Sequence, residues 1–137
     1  MHWVVRPWRQ MFDFSGRATR REYWLLQAQV LLAYFVLLLG GGLLGSAGAD
    51  PLGFLFIGIM LLFVLVAGIA TVSAGVRRIH DHDKTGWLLL LSFVPLFGWI
   101  FLLIMTLTPG TKGENSYGYD PREGDAPSAD EMAAIFS

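Results

Sequence analysis

The segment Arg77–Trp87, RRIHDHDKTGW, is the only charged stretch between two long apolar tracts, and it decides which way the chain faces. On its N-terminal side a single charged residue, Asp50, occurs between Leu25 and Val76. On its C-terminal side Trp87 to Leu107 is uncharged. Across 137 residues, 54% hydrophobic and 15% charged with mean hydropathy +0.52, this is too much apolar surface for a small soluble domain to wrap. Helices that are apolar all round belong in lipid. The sequence therefore predicts an all-α integral membrane protein with about three transmembrane helices, over roughly 23–44, 52–75 and 87–108.

Each tract has local chemistry of its own. Thr19 and Glu22 have capping-box spacing at the start of the first span, and Tyr23 and Trp24 suit an aromatic belt. Gly45–Gly53 reads as a tight connector with turn chemistry at Asp50-Pro51. In the second span Ala67, Thr71 and Gly75 recur every four residues, a small-residue stripe for helix packing within the chain or with another copy. Pro95 and Gly98 divide the third tract, which reads as one span kinked at Pro95 or as a re-entrant hairpin. The kinked span is the primary expectation.

Outside the tracts, Val4, Val5, Trp8, Met11 and Phe12 share one helical face, predicting an interfacial amphipathic helix over about 3–14. A cleaved signal peptide ending near Ala47-Gly48-Ala49 is not expected, because the apolar run is too long and further apolar tracts follow. The expected membrane domain covers 1–121, and 122–137 reads as an acidic flexible tail.

Orientation follows from Lys and Arg. Five arginines precede the first span, and Arg77, Arg78 and Lys84 follow the second. None lies in the connector. The N-terminus and the 76–86 loop are thus expected in the cytoplasm. A single crossing by the third tract puts the tail outside, whereas a hairpin returns it to the cytoplasm.

Three motifs now line up: Phe14–Trp24 (FSGRATRREYW), Arg77–Asp81 leading to Gly86-Trp87, and Pro109-Gly110-Thr111 with Gly113, Asn115, Tyr117, Gly118, Asp120 and Pro121. Together they resemble the YhaH-like small bacterial inner-membrane proteins, domain of unknown function family 805, over roughly 11–121. The resemblance implies a bacterial inner (plasma) membrane location and a few helical spans. It brings no assigned activity, so no catalytic residue carries over. This chain has isoleucine where the family usually has leucine before His80, and its acidic tail extends past the family's core.

His80-Asp81-His82-Asp83 looks like a metal cluster, but neighbouring helical residues point about 100° apart and cannot converge on one ion. A helix end with an Arg77–Asp81 pair followed by a turn is the simpler reading. With no cysteine, thiolate sites and cysteine nucleophiles are excluded. The Gly110–Gly118 stretch lacks the strand and helix of a nucleotide loop. No charge lies within a span, which argues against a solitary ion-coupled carrier.

No catalytic residue, cofactor or metal is assigned, and the chain is not expected to be an enzyme. The residues expected to meet headgroups or an interface are Arg17, Arg20, Arg21, Glu22, Trp24, Arg77, Arg78, His80, Asp81, Trp87, Asn115 and Asp120. Juxtamembrane bases attract anionic lipid at about 1 kcal/mol each. The expected role is a structural, interaction or lipid-contacting component. Its partners would be the bilayer, anionic headgroups, and a second copy or another membrane protein; nucleic acid is not expected. An oligomeric transport or channel subunit is the first alternative. A headgroup-modifying enzyme using His80 and Asp81 is the second.

Overall fold

The computed structural model describes residues 2–46 and 50–122. In chain order these form α1 (His2–Arg9), α2 (Arg20–Ser46), α3 (Asp50–His80), a 3-10 helix (Gly86–Phe93) and α4 (Phe97–Leu107). The signal-cleavage motif at 47–49 and the acidic tail beyond Arg122 lie outside the described residues. The chain divides into two compact units. One holds the described residues up to Phe14 and Arg20–Gly75; the other holds Ser15–Thr19 and the described residues from Val76 onward.

Within the first unit, α2 has 27 residues and α3 has 31. At 1.5 Å per residue both exceed the ~30 Å hydrocarbon core of a bilayer. They are apolar enough to cross it, and almost none of their most apolar stretches is buried. Leu31, Phe35, Leu43, Phe54, Leu61 and Leu65 all face outward. A soluble protein's core helices would bury these faces, so lipid is the solvent this surface suits.

The core of this unit is small: Leu26 against Ala70 and Ala74, joined by Trp8, Met11, Tyr23 and Val30. Small side chains on α3 thus lie against Leu26 of α2. Ala67, Ala70, Ala74 and Gly75 are buried on α3, and Thr71 is half-buried. Nearer the connector, Phe56 lies over Gly40 and Gly41; a Cβ on Gly41 would come within 2.7 Å of its ring.

The N-terminal segment is pinned by polar contacts. Trp8 Nε1 donates to Gln29 Oε1 at 2.8 Å, and Gln29 Nε2 donates to the Val4 carbonyl at 3.3 Å. The Ser73 hydroxyl meets the Gln10 and Asp13 carbonyls at 3.0 and 2.6 Å. These bonds explain two polar residues inside apolar tracts. Helix α1 is shorter than the predicted 3–14, ending at Arg9 before a turn.

In the second unit the third apolar tract departs from its primary expectation. It is interrupted rather than kinked: the 3-10 helix ends at Phe93, the chain turns through Val94–Leu96, and α4 begins at Phe97. Leu96 takes φ +68° and ψ −67°, a strained γ-turn closed by the Phe97 amide on the Pro95 carbonyl at 2.9 Å. Gly98 is essential to the fold-back, since a Cβ there would overlap the Leu91 carbonyl oxygen at 1.6 Å. Trp99 Nε1 ties the arms by donating to the Ser92 carbonyl at 2.9 Å. The two ends of the tract also meet. His82 Nε2 donates to the Met105 carbonyl at 2.7 Å, and Thr111 N donates to the Asp81 carbonyl at 2.8 Å. Among the described residues, two helices rather than three have spanning length.

Candidate functional site: a buried arginine–aspartate knot

The last turn of α3 carries Arg77, Arg78 and His80. The helix ends through Asp81, His82 and Asp83, whose amides donate to Arg77, Ile79 and His80. Asp83 takes φ +56°, the left-handed position that commonly closes a helix. This termination turns the Asp81 side chain toward the Ser15–Thr19 segment and the 108–122 segment.

Asp81 is the centre. It is 2% exposed, and its carboxylate receives Arg17 Nε at 3.0 Å and Arg17 Nη2 at 2.9 Å, both on Oδ1. Its Oδ2 receives Arg78 Nη1. Two guanidiniums on one carboxylate leave an excess positive charge, and main-chain carbonyl dipoles take it up. Arg17 also donates to the carbonyls of Gly113 and Thr111, each at 2.5 Å, and to Gly118 at 3.3 Å. Arg78 donates to the Ala18 carbonyl at 3.3 Å and to the Thr108 carbonyl. Carbonyl acceptors and a shared carboxylate are what make buried guanidiniums tolerable.

The backbone closes around this ion cluster. Ala18 N donates to the Arg77 carbonyl at 3.0 Å. Gly16, at φ +75°, makes the turn that brings its carbonyl 3.2 Å from His80 Nδ1. Gly110 must be glycine, because a Cβ would lie 1.9 Å from Asp81 Oδ2. Asn115 and Gly118 pair through reciprocal 3.1 Å backbone bonds, and Asn115 Nδ2 reaches the His80 carbonyl at 2.9 Å. The Tyr117 ring stacks on His80 with centroids 3.9 Å apart.

Asp120 closes the segment. It accepts from Arg122 Nε and Nη2, each at 2.7 Å, and from Gly113 N at 3.2 Å. The Arg122 side-chain bonds are the main reason its carboxyl is held down to about 2, against the opposing effect of burial. His82 is also shifted downward, chiefly by burial and further by the Arg78 and Lys84 charges; its bond to Met105 and the Asp81 charge oppose the shift.

Six of the sequence-predicted site residues meet here: Arg17, Arg78, His80, Asp81, Asn115 and Asp120. Arg77 is buried and receives the Ala18 amide on its carbonyl. Arg20, Arg21, Trp24 and Trp87 are exposed. Glu22 is buried in the first unit, 4.0 Å from Arg6. Arg17 and Arg78, expected at headgroups, are instead enclosed in protein. The i, i+4 spacing of Arg77 and Asp81 is realised as a backbone hydrogen bond of 3.1 Å, while Arg17 and Arg78 hold the carboxylate. Spacing could not reveal Arg17–Asp81, since 64 positions separate the pair.

Arg122 belongs to this cluster rather than to the tail. Thr111, Tyr117 and His82 also belong to the cluster, and Thr111 and Tyr117 lie in a motif whose glycines signal a constrained backbone. His80 and His82 address different carbonyls, Gly16 and Met105. Among the described residues, no three His, Cys, Asp or Glu side chains gather where an ion could bind.

Three comparisons with known proteins bear on this arrangement. The family model described as "Protein of unknown function (DUF805)" matches residues 11–119, covering the first two motifs and most of the third. Inner membrane protein YhaI of Escherichia coli (strain K12) is 35% identical over 124 residues, 90% of this chain and 98% of the relative. Inner membrane protein YhaH of the same strain is 31% identical over 122 residues, 89% of this chain and 98% of the relative. No solved structure matches the chain.

Proposed function

Since this chain belongs to the DUF805 family, whose relatives here are inner membrane proteins, we propose that it is a two-span anchor of the bacterial inner membrane. It holds its three polar segments together on the cytoplasmic side. Helices α2 and α3 make the two crossings, and the Lys/Arg bias assigns the N-terminus and the 76–86 loop to the cytoplasm. The tract after the loop enters and leaves the bilayer at that same face, so the 108–122 segment is cytoplasmic too.

The observation that carries this reading is the return of the third tract's C-terminal end to the end of α3: Met105 to His82, and Thr111 to Asp81. Separating those ends by a bilayer would tear the Asp81 cluster apart. The role is structural or interactive rather than enzymatic. His80 and Asp81, the residues an enzymatic reading would use, are committed to Gly16, Tyr117, Arg17 and Arg78. Contact with anionic headgroups falls to the exposed Arg9, Arg20 and Arg21 of the first unit.

Fusions after Arg122 test the topology. Green fluorescent protein should be bright there and alkaline phosphatase inactive; the reverse pattern would place the third motif outside. His80→Ala tests the role. A scaffold role requires lower membrane abundance, whereas normal abundance with a lost phenotype would favour enzymatic use of the loop.

A further inference from the structure

We infer that residues 86–107 form a wedge confined to one leaflet, whose ligand is the acyl-chain layer on the side of the Asp81 cluster. The inference rests on the topology proposed above and adds depth, occupant and consequence. The 3-10 arm has 8 residues, which at 2.0 Å per residue is about 16 Å. The α4 arm has 11 residues, also about 16 Å. Each arm thus matches half of a ~30 Å hydrocarbon core, and neither can cross it.

The side chains suit the same solvent. Phe93 is 82% exposed, Phe97 77% and Trp99 70%, with Leu96 at the turn also exposed. Water would strip such a hairpin into aggregation, whereas acyl chains cover it without specific pockets. Its polar groups turn inward, as lipid demands. Trp99 donates to Ser92, Thr106 Oγ1 to Leu103 and Thr108 Oγ1 to Ile104. Even in the turn, the Val94, Phe97 and Gly98 amides find the Leu91, Pro95 and Val94 carbonyls. The base is polar and clamped by His82–Met105 and Asp81–Thr111. An apolar loop held at both ends by polar residues goes no deeper than its arms reach. A body inserted into one leaflet adds cross-section to that leaflet alone, so the protein favours membrane convex on that side.

The chain has no native cysteine, so single substitutions in the full-length protein report depth cleanly. Lys84→Cys, Leu96→Cys and Lys112→Cys carry an environment-sensitive dye in phosphatidylethanolamine–phosphatidylglycerol vesicles containing brominated phosphatidylcholine. Phe93→Cys is the second tip reporter should Leu96→Cys fold poorly. The wedge requires strongest quenching at the tip by bromine near the acyl terminus, with positions 84 and 112 shallow and on one face. A shallow tip with 84 and 112 still on one face would overturn the wedge and leave the topology standing. Positions 84 and 112 on opposite faces would overturn both. On membrane tubes pulled from giant vesicles, protein with its 84 and 112 positions outward should be enriched over the flat membrane. That enrichment should fall in Phe93→Ser/Phe97→Ser; an equal ratio for both proteins would refute the curvature preference.

Discussion

Arg17 and Asp81 lie 64 positions apart in sequence and meet at 2.9 and 3.0 Å, both buried. Between them in the chain run both membrane-length helices. The pair joins the segment before α2 to the residue after α3, and Arg17 then reaches on to Thr111, Gly113 and Gly118. One guanidinium thereby ties Ser15–Thr19 of the first motif to residues of the other two.

Asp81→Asn removes the charge shared by two buried arginines while keeping the volume. Breaking a buried pair from one side costs on the order of 3–5 kcal/mol. The variant should unfold at markedly lower temperature in detergent and accumulate less in the membrane. Arg122→Ala should cost far less, because its side chain is more than a third exposed.

Glycine substitutions should separate into two classes. Gly110→Ala puts a Cβ 1.9 Å from Asp81 Oδ2 and should destabilise as severely as Asp81→Asn. At Gly42, in α2, a Cβ meets nothing within 4 Å, so Gly42→Ala should be neutral or slightly stabilising. Thermal unfolding of both variants in one detergent checks the contrast.

Much of this was legible beforehand, for physical reasons. Apolar runs of spanning length reveal α2 and α3, and Pro95 and Gly98 mark where the third tract breaks. What stayed hidden is long-range: Arg17 reads as one more positive-inside arginine until Asp81 is seen beside it. The same charge pattern serves anchoring and burial alike, so composition cannot separate Arg17 and Arg78 from the exposed Arg20 and Arg21. Even the small-residue stripe shows the limit. Which small residues of α3 meet α2 depends on where Leu26 packs, and it packs against Ala70 and Ala74.

Acid should loosen this unit in two stages. His82 has a lowered pKa in the fold, so the unfolded chain binds its proton more readily. The stability it contributes is present above the ordinary histidine pKa near 6.5 and is lost as pH falls through its lower folded value. Asp120, lowered from 3.8 to about 2, contributes stability above pH ~4 that is lost as pH falls toward 2. Hydrogen exchange of the Gly113 and Arg122 amides, both bonded to Asp120, should accelerate only in the second stage. His82→Gln should reduce the loss in the first.

Trp8→Phe removes the donor to Gln29 while keeping an aromatic ring against the core. A loss of about 1 kcal/mol is expected, with faster hydrogen exchange in α1 and little change in the Asp81 cluster. Uniformly faster exchange would mean that the two regions unfold as one.

The proposed topology puts the segments on either side of the third apolar tract on one face of the membrane. Cysteine labelling tests it most directly, using Lys84→Cys and Lys112→Cys in the otherwise cysteine-free chain. In intact spheroplasts a membrane-impermeant maleimide should label neither position, and permeabilisation should expose both. Labelling of position 112 but not 84 in intact spheroplasts would mean that the tract crosses the bilayer, and would contradict the account.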